Sequence, residues 1–360
     1  MNVAPVLSVR NLSVAFGFAK GRKGALVPRD GVPPLQVTDE ISFEIFHGEF
    51  FALVGESGCG KSVTAMSILR LLPQPSAQIV DGSVLFYEVQ ENTANKETEL
   101  SKLSLPELQK YRGSKIACIF QEPMQALNPV VSIQKQLLEV FKYSAPGGRN
   151  FSREESLKII EDQLKDAGFT DPARVLDSYP HELSGGMLQR VCIVMSLLSK
   201  PRLIIADEPT TALDVTVQAQ VLAVLKDMAR KSGTAVLLIT HNMGIVSQYA
   251  DRVAVMYAGR IVETGPVHDV ICNPLHPYTQ GLLAAIPESH SQMKNLKSIP
   301  GSVPHPKDFV SGCRFADRCE VCMSGSKELQ AKCRGSQKPL QTVAEGNSNH
   351  VTFCFSLSHQ

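Results

Sequence analysis

No stretch of the 360-residue sequence is apolar for the ~20 residues that a membrane-spanning helix needs. The best candidate, Val191–Leu198, is far too short. Membrane association would therefore need a partner subunit. Neither sign of charge dominates, with 36 Lys and Arg against 35 Asp and Glu. Phosphate-binding surfaces normally leave a basic excess, so nucleic acid is not expected as a partner. The start, Met1–Ser8, lacks the charged and apolar segments of a secretory signal, and the expected compartment is the cytoplasm. No internal repeat is visible. What remains is a globular composition, 43% hydrophobic and 20% charged. The length suits one large domain with an appendage or two ordinary domains.

Cysteine is sparse and then dense. Cys59, Cys118, Cys192 and Cys272 are scattered and read as small buried hydrophobes or incidental residues. Cys313, Cys319, Cys322, Cys333 and Cys354 crowd the last part of the chain. In a reducing compartment a metal outranks a disulfide framework. A thiolate-only set suits a [4Fe–4S] cluster or a zinc site with four thiolate ligands. Zinc favours paired C-x2-C knuckles, and only Cys319 to Cys322 has that spacing. Structural thiols without metal are the third reading.

Apolar, β-prone runs recur at Val6–Phe18, Ile41–Ile45, Phe50–Val54, Lys115–Phe120, Leu203–Ala206 and Ala235–Ile239. Helical patterns fall at Ser62–Leu72, across most of Ser132–Ser178, and at Gly186–Leu198 and Val215–Ala229. Lys20–Gln36 reads as a loop and Glu88–Ser104 as a polar surface excursion. Continuously apolar strands alternating with helices predict a parallel sheet covered on both faces. Past Pro287 this pattern fails.

The run Gly55-Glu56-Ser57-Gly58-Cys59-Gly60-Lys61-Ser62 fits G-x-x-x-x-G-K-[ST], after an apolar strand and before a helix. Such a loop turns backbone N–H groups toward phosphate oxygens, with Lys61 facing the β/γ-phosphates and Ser62 a ligand for Mg²⁺. The strand Leu203–Ala206 ends in Asp207 and Glu208. Asp207 would hold the Mg²⁺, leaving Glu208 to polarise an attacking water. Leu183-Ser184-Gly185-Gly186-Met187 opens a helix, a second anion-binding end.

In this order the motifs resemble those of ABC ATPases over roughly residues 6–265. The resemblance implies an α/β P-loop NTPase fold: a parallel-sheet core, an antiparallel β-subdomain and a helical subdomain, with a small Cys-rich C-terminal extension. Residues 1–287 would form the nucleotide-binding domain, its helical subdomain at about 125–198, and 288–360 the extension. By the same resemblance Gln121 senses Mg²⁺ and the attacking water. Ala212-Leu213-Asp214 matches the D-loop, and His241 after Thr240 is the switch histidine. Phe16 stacks on adenine, with Phe18 or plain core packing as alternatives. Ser184, Gly185, Gly186 and Asp214 act in trans, on ATP held by a second ATPase subunit.

Longer stretches resemble the oligopeptide/dipeptide (peptide/nickel) importer ATPases. They include Gln121-Glu122-Pro123-Met124, Leu127-Asn128-Pro129, His276-Pro277-Tyr278-Thr279, and Gly312-Cys313 with Arg318-Cys319. That likeness implies ATP-driven import of peptides, with nickel or another small solute as the alternative cargo. It implies a paralogous ATPase partner, two transmembrane permease subunits and an extracytoplasmic solute-binding protein. It places the chain peripherally on the cytoplasmic face of the inner membrane. It also implies a [4Fe–4S] cluster on Cys313, Cys319, Cys333 and Cys354. ABC ATPases acting on DNA or the ribosome carry long insertions or two cassettes, and neither is visible. The sequence departs from the family at Asn242, usually Asp, and Leu188, usually Arg. The Cys319 to Cys333 spacing is also longer than the family's.

Overall fold

The computed structural model describes residues 4–21, 25–88, 96–144, 151–211, 213–285, 299–344 and 346–357. The chain divides into two compact units. The first is formed by Met1–Val6, Ile45–Phe50 and Lys102–Ile239, the second by Leu7–Glu44, Phe51–Ser101 and Thr240–Gln360.

In the first unit the strands Ala235–Thr240, Leu203–Asp207 and Ile116–Ile119 lie side by side and parallel. Leu203–Asp207 is buried throughout, as expected for the middle strand of a covered sheet. The same unit holds the helices Ile133–Ser144, Arg153–Asp166, Pro172–Asp177, Gly185–Leu197 and Val215–Ser232, with shorter ones at Leu105–Gln109 and Pro123–Ala126. Their starts are written in the sequence. Ser152 and Glu155 form a capping box, and Asp171, Ser184 and Asp214 each accept a first-turn N–H. Gly233 ends the longest helix in the left-handed conformation (φ 68°).

The second unit holds an antiparallel sheet in the order Leu35–Ile45, Leu7–Phe16, Ala77–Glu88, Lys96–Glu99. Its other strands run in the order Thr342–Ala344, Asn347–Thr352, Arg260–Pro266, Arg252–Tyr257, Phe50–Val54. The last two are parallel and the other pairs antiparallel. One apolar core gathers Ala52, Val54, Val253, Val255, Tyr257 and Tyr278 with Phe315, Cys319, Cys322 and Cys333. The cysteine-rich segment is thus built into the same core as the strand that precedes the phosphate loop.

Three segments are more ordered than their composition suggests. Lys20–Gln36 contains a strand, Leu26–Pro28, paired with Phe18–Lys20, and the long strand begins at Leu35. The Glu88–Ser104 stretch supplies the edge strand Lys96–Glu99. The tail supplies Asn347–Thr352, a polar sequence joined to Arg260–Pro266 by two rungs, Glu263↔Thr352 and Thr264↔Val351, and paired on its other side with Thr342–Ala344. Periodicity missed it because polar side chains anchor it, among them the buried pair His350 Nε2 to Glu263 Oε1 at 2.7 Å and Thr352 Oγ1 donating to Val262 O at 3.1 Å. The Ala145–Gly148 break and the expected boundary at 287/288 lie outside the described residues.

Candidate functional site

The second unit carries the phosphate loop. Phe50–Val54 is buried at every position and ends where the chain must turn. Gly60 has φ 109°, which L side chains rarely adopt, and a Cβ there would also meet Met256 Cε at 2.8 Å. It caps the helix Lys61–Ile68. The Lys61 side chain folds back into the loop, and Nζ donates to Gly55 O (2.8 Å) and Glu56 O (3.0 Å). Its third contact is Cys59 Sγ at 3.9 Å. Burial raises the pKa of that thiol, so it stays neutral. A buried ammonium with only neutral partners is costly unless an anion joins it. That is the fit expected for a phosphate ligand.

Glu56 is held on three sides. Its N–H donates to the Tyr278 hydroxyl at 2.9 Å, its carbonyl accepts from Lys61, and its carboxylate receives the Arg318 guanidinium at 2.7 and 2.9 Å. His241 is exposed in the same unit. Beside it Asn242 caps the helix Met243–Tyr249, accepting from Gly244 N at 2.8 Å and Ile245 N at 3.4 Å. The cap needs an oxygen rather than a charge, so Asn serves where the family has Asp. Phe16 ends its strand half-buried, paired with Ala77.

The first unit carries the acids and the Ser-Gly-Gly helix start. Asp207 is buried at the end of its strand, in register with Ile239. Glu208 has φ 44°, its N–H donates to Ile239 O at 3.0 Å, and its Oε2 accepts from Thr211 Oγ1 at 3.0 Å. Ser184 caps the helix Gly185–Leu197, its Oγ accepting from Met187 N at 3.4 Å. A Cβ on Gly186 would come within 2.5 Å of Val217 Cγ1, so the glycine lets this helix start approach the next helix closely. Asp214 caps that next helix by accepting from Val217 N at 2.9 Å. Gln218 donates to Thr210 O and Leu213 O at 3.1 and 2.9 Å, clasping the segment between Glu208 and Asp214. Ala212 lies outside the described residues. Gln121 is exposed, followed by the short helix Pro123–Ala126. Gln136 accepts from Asn128 N and donates to Asn128 O and Val131 O, fixing the loop behind that helix.

Five tail thiols, of Cys313, Cys319, Cys322, Cys333 and Cys354, line one small cavity together with His276. Burial pushes the Cys313 thiol up to about 12, with neighbouring thiols adding to the effect. Burial raises Cys319 and Cys333 as well. His276 Nδ1 accepts from Tyr278 N, while its Nε2 is buried with no hydrogen-bond partner among the described residues. As the side chains stand, no group of three or more His, Cys, Asp or Glu among the described residues could hold a metal ion.

Sequence reasoning named the loop, the acids and the helix start, but missed Arg318, Tyr278, Thr211, Gln136 and Gln218 as contributors. Tyr278 and Arg318 stand in stretches noticed for their resemblance, yet nothing local discloses that both reach Glu56.

A glycine-rich loop with a buried lysine, two strand-end acids and a Ser-Gly-Gly helix start define an ABC ATPase. The family model for ABC transporters matches residues 38–211. The model for the C-terminal region of oligopeptide/dipeptide transporters matches residues 262–325. The oligopeptide transport ATP-binding protein AppD of Bacillus subtilis is 43% identical over 88% of this chain and 90% of its own length. The dipeptide transport ATP-binding protein DppD of the same organism is 44% identical over 87% and 86%. The chain belongs to this family of ABC-transporter ATP-binding proteins. The dimeric ATP-binding cassette MJ0796 in a post-hydrolysis state with ADP and Pi is 25% identical, with a TM-score of 0.54. That match covers 72% of this chain and 98% of that one. The cbiO1 structure from Clostridium perfringens, part of the cbiONQ transporter complex, is 25% identical, with a TM-score of 0.57 and coverages of 75% and 91%. Among the described residues no helix is long and apolar enough to cross a membrane.

Proposed function

We propose that this chain hydrolyses ATP to drive import of oligopeptides or dipeptides through a membrane permease. The observation that carries the site is the Lys61 ammonium, buried in a glycine loop among neutral partners. The names of the related proteins support the cargo.

In this reading the N–H groups from Gly55 to Ser62, with Lys61, bind the triphosphate, and Phe16 stacks on adenine. Ser62, Asp207 and Gln121 would hold Mg²⁺, which supplies charge neutralisation on the phosphates when bound. Water attacks the γ-phosphorus in line, the bond to the bridging oxygen breaks, and ADP leaves. Glu208 orients the water and receives its proton, and His241 contacts the γ-phosphate. Ser184, Gly185, Gly186 and Asp214 complete the site of a second ATPase subunit, in this proposal a paralogue. The exposed apolar side chains Phe120, Met124 and Val130 flank Gln121 and suit contact with a permease helix on the cytoplasmic face. Two permease subunits and an extracytoplasmic binding protein complete the assembly.

For the extension, 288–360, we propose a [4Fe–4S] cluster on Cys313, Cys319, Cys333 and Cys354, with Cys322 as a spare thiol. Five cysteines around one cavity and an orphaned His276 Nε2–H, a donor suited to an anionic sulfur, support that reading. Iron and acid-labile sulfide after anaerobic purification test it. Stoichiometric zinc or no metal refutes it.

Glu208→Gln tests the catalytic assignment. The amide keeps the size but not the basicity, so ATP binding persists while hydrolysis falls about 10²–10⁴-fold. Near-normal ATP turnover by the mutant transporter in proteoliposomes would refute the role. Peptide uptake by the wild-type assembly tests the cargo.

A further inference from the structure

Arg318 stands one residue before Cys319, yet its guanidinium reaches the phosphate loop rather than the thiols. Nη1 and Nη2 donate to Glu56 Oε2 and Oε1 at 2.7 and 2.9 Å. Nε donates to Pro300 O at 2.7 Å, Nη2 also to Gly301 O at 3.3 Å, and Nη1 also to the Tyr257 hydroxyl at 3.3 Å. A guanidinium has five N–H donors, and these contacts engage the whole fork. The Arg318 side chain is only 8% exposed, and it lies over the Tyr257 ring at 5.7 Å. Three residues from the C-terminal part of the chain are thereby joined to loop position Glu56: Tyr278 on its N–H, Arg318 on its carboxylate, and Tyr257 through Arg318.

We propose that Arg318 is a positioning residue for nucleotide binding, the tip of a brace by which the cysteine-rich segment holds the phosphate loop. Two physical effects act together. The fork fixes a loop whose donors must be ordered before an anion arrives, so less ordering cost falls on binding. It also neutralises the Glu56 carboxylate, which would otherwise stand in the loop as a like charge to the incoming triphosphate. The inference rests on the assignment of Gly55–Ser62 to the ATP phosphates.

The test uses the full chain in its assembled transporter. Arg318→Ala, Arg318→Lys, Glu56→Ala and the Arg318→Ala/Glu56→Ala double variant are titrated with a fluorescent ATP analogue, and KM and kcat for ATP are measured. Arg334→Ala is the control, because its ion pair with Asp317 is exposed. Arg318→Ala is expected to raise Kd and KM about ten-fold, within the usual span of inter-site coupling, with kcat changed less than about two-fold. Arg318→Lys, charged but unforked, should fall between Arg318→Ala and wild type. In the Glu56→Ala background the same arginine substitution should cost little, because the carboxylate it neutralises is gone. Wild-type affinity in Arg318→Ala, or an equal loss in both backgrounds, overturns the brace. If Arg318→Ala does not fold, Arg318→Lys decides, and wild-type affinity there overturns it equally. Lys61→Ala is run alongside. Retained ATP binding in that variant would fail the loop assignment itself. Loss of binding there with wild-type binding in Arg318→Ala would fail only the brace.

Discussion

His276 shows how one side chain can carry a structural role and a measurable pH signature. It is fully buried, and burial holds its pKa down to about 3, so the ring is neutral in the folded state. Its Nδ1 caps the helix Pro277–Ala284, and its own N–H donates to Glu263 at 2.9 Å. The unfolded imidazole binds a proton below ~6.5. The unfolded state therefore gains protons first as pH falls. This histidine's contribution to stability is complete above ~6.5 and is lost progressively between there and about 3. One proton corresponds to about 1.4 kcal/mol per pH unit across that window. Asn at position 276 could still accept the Tyr278 N–H but does not titrate. His276→Asn should therefore show a shallower loss of urea stability from about pH 6 to about pH 4, and an unchanged slope would contradict the assignment.

At the scale of elements, the approach of the Ser184–Gly186 helix start to the helix Val215–Ser232 depends on a missing side chain. Gly186→Ala would press a methyl against Val217 Cγ1. Overpacking of this kind costs about 1–3 kcal/mol, so a lower denaturation midpoint and slower ATP turnover are expected. Val217→Ala removes the clashing carbon and should restore most of both. Failure of that rescue would place the effect elsewhere. The segment after Gln121 makes a second prediction. Gln136 fixes its loop, and Met124 and Val130 are 45% and 79% exposed. A cysteine at Gln125 should crosslink to a cytoplasmic permease loop in a nucleotide-dependent way. A scan of 122–129 without any such crosslink would remove this surface from the interface.

These elements also show where the sequence could be read. Apolar strands ending in glycines or acids, and apolar residues at helical spacing, are local patterns, so the sheet and helices were legible. The loop was legible as a glycine-rich turn between a strand and a helix, because those residue types at that spacing are a local pattern. The clasp by Gln218 was not legible, because a glutamine on a helix face looks solvated until the facing carbonyls are seen. Two of the three contacts on Glu56 were hidden by distance along the chain. Tyr278 lies 222 positions away and Arg318 lies 262 away.

On the scale of the whole molecule, the tail is tied into the second unit at a second place, Asp39. Burial alone would raise that carboxyl, but Arg260, Lys338 and Arg314 hold it below its usual range. Arg314 and Arg260 each lie 2.7 Å from Asp39 Oδ2. Arg314→Ala leaves Asp39 one cation short in a buried setting. Arg260 and Lys338 remain on Asp39, so the loss stays below the about 3–5 kcal/mol of a fully orphaned buried charge, and a drop in the thermal midpoint is expected. A midpoint within about a degree of wild type would show the network to be dispensable.

The strand Asn347–Thr352 has a consequence for how the chain matures. Its partner Arg260–Pro266 leaves the ribosome first, and Glu263 waits for His350, 87 positions later. At synthesis speeds of about 5–20 residues per second, that delay is on the order of ten seconds. Through that interval the sheet edge stands unpaired on the nascent chain, and unpaired edges invite pairing with other strands. Cys354 emerges later still, so the full set of tail thiols exists only once the chain has passed that residue. This protein closes its sheet and completes its cysteine cavity in the same late step.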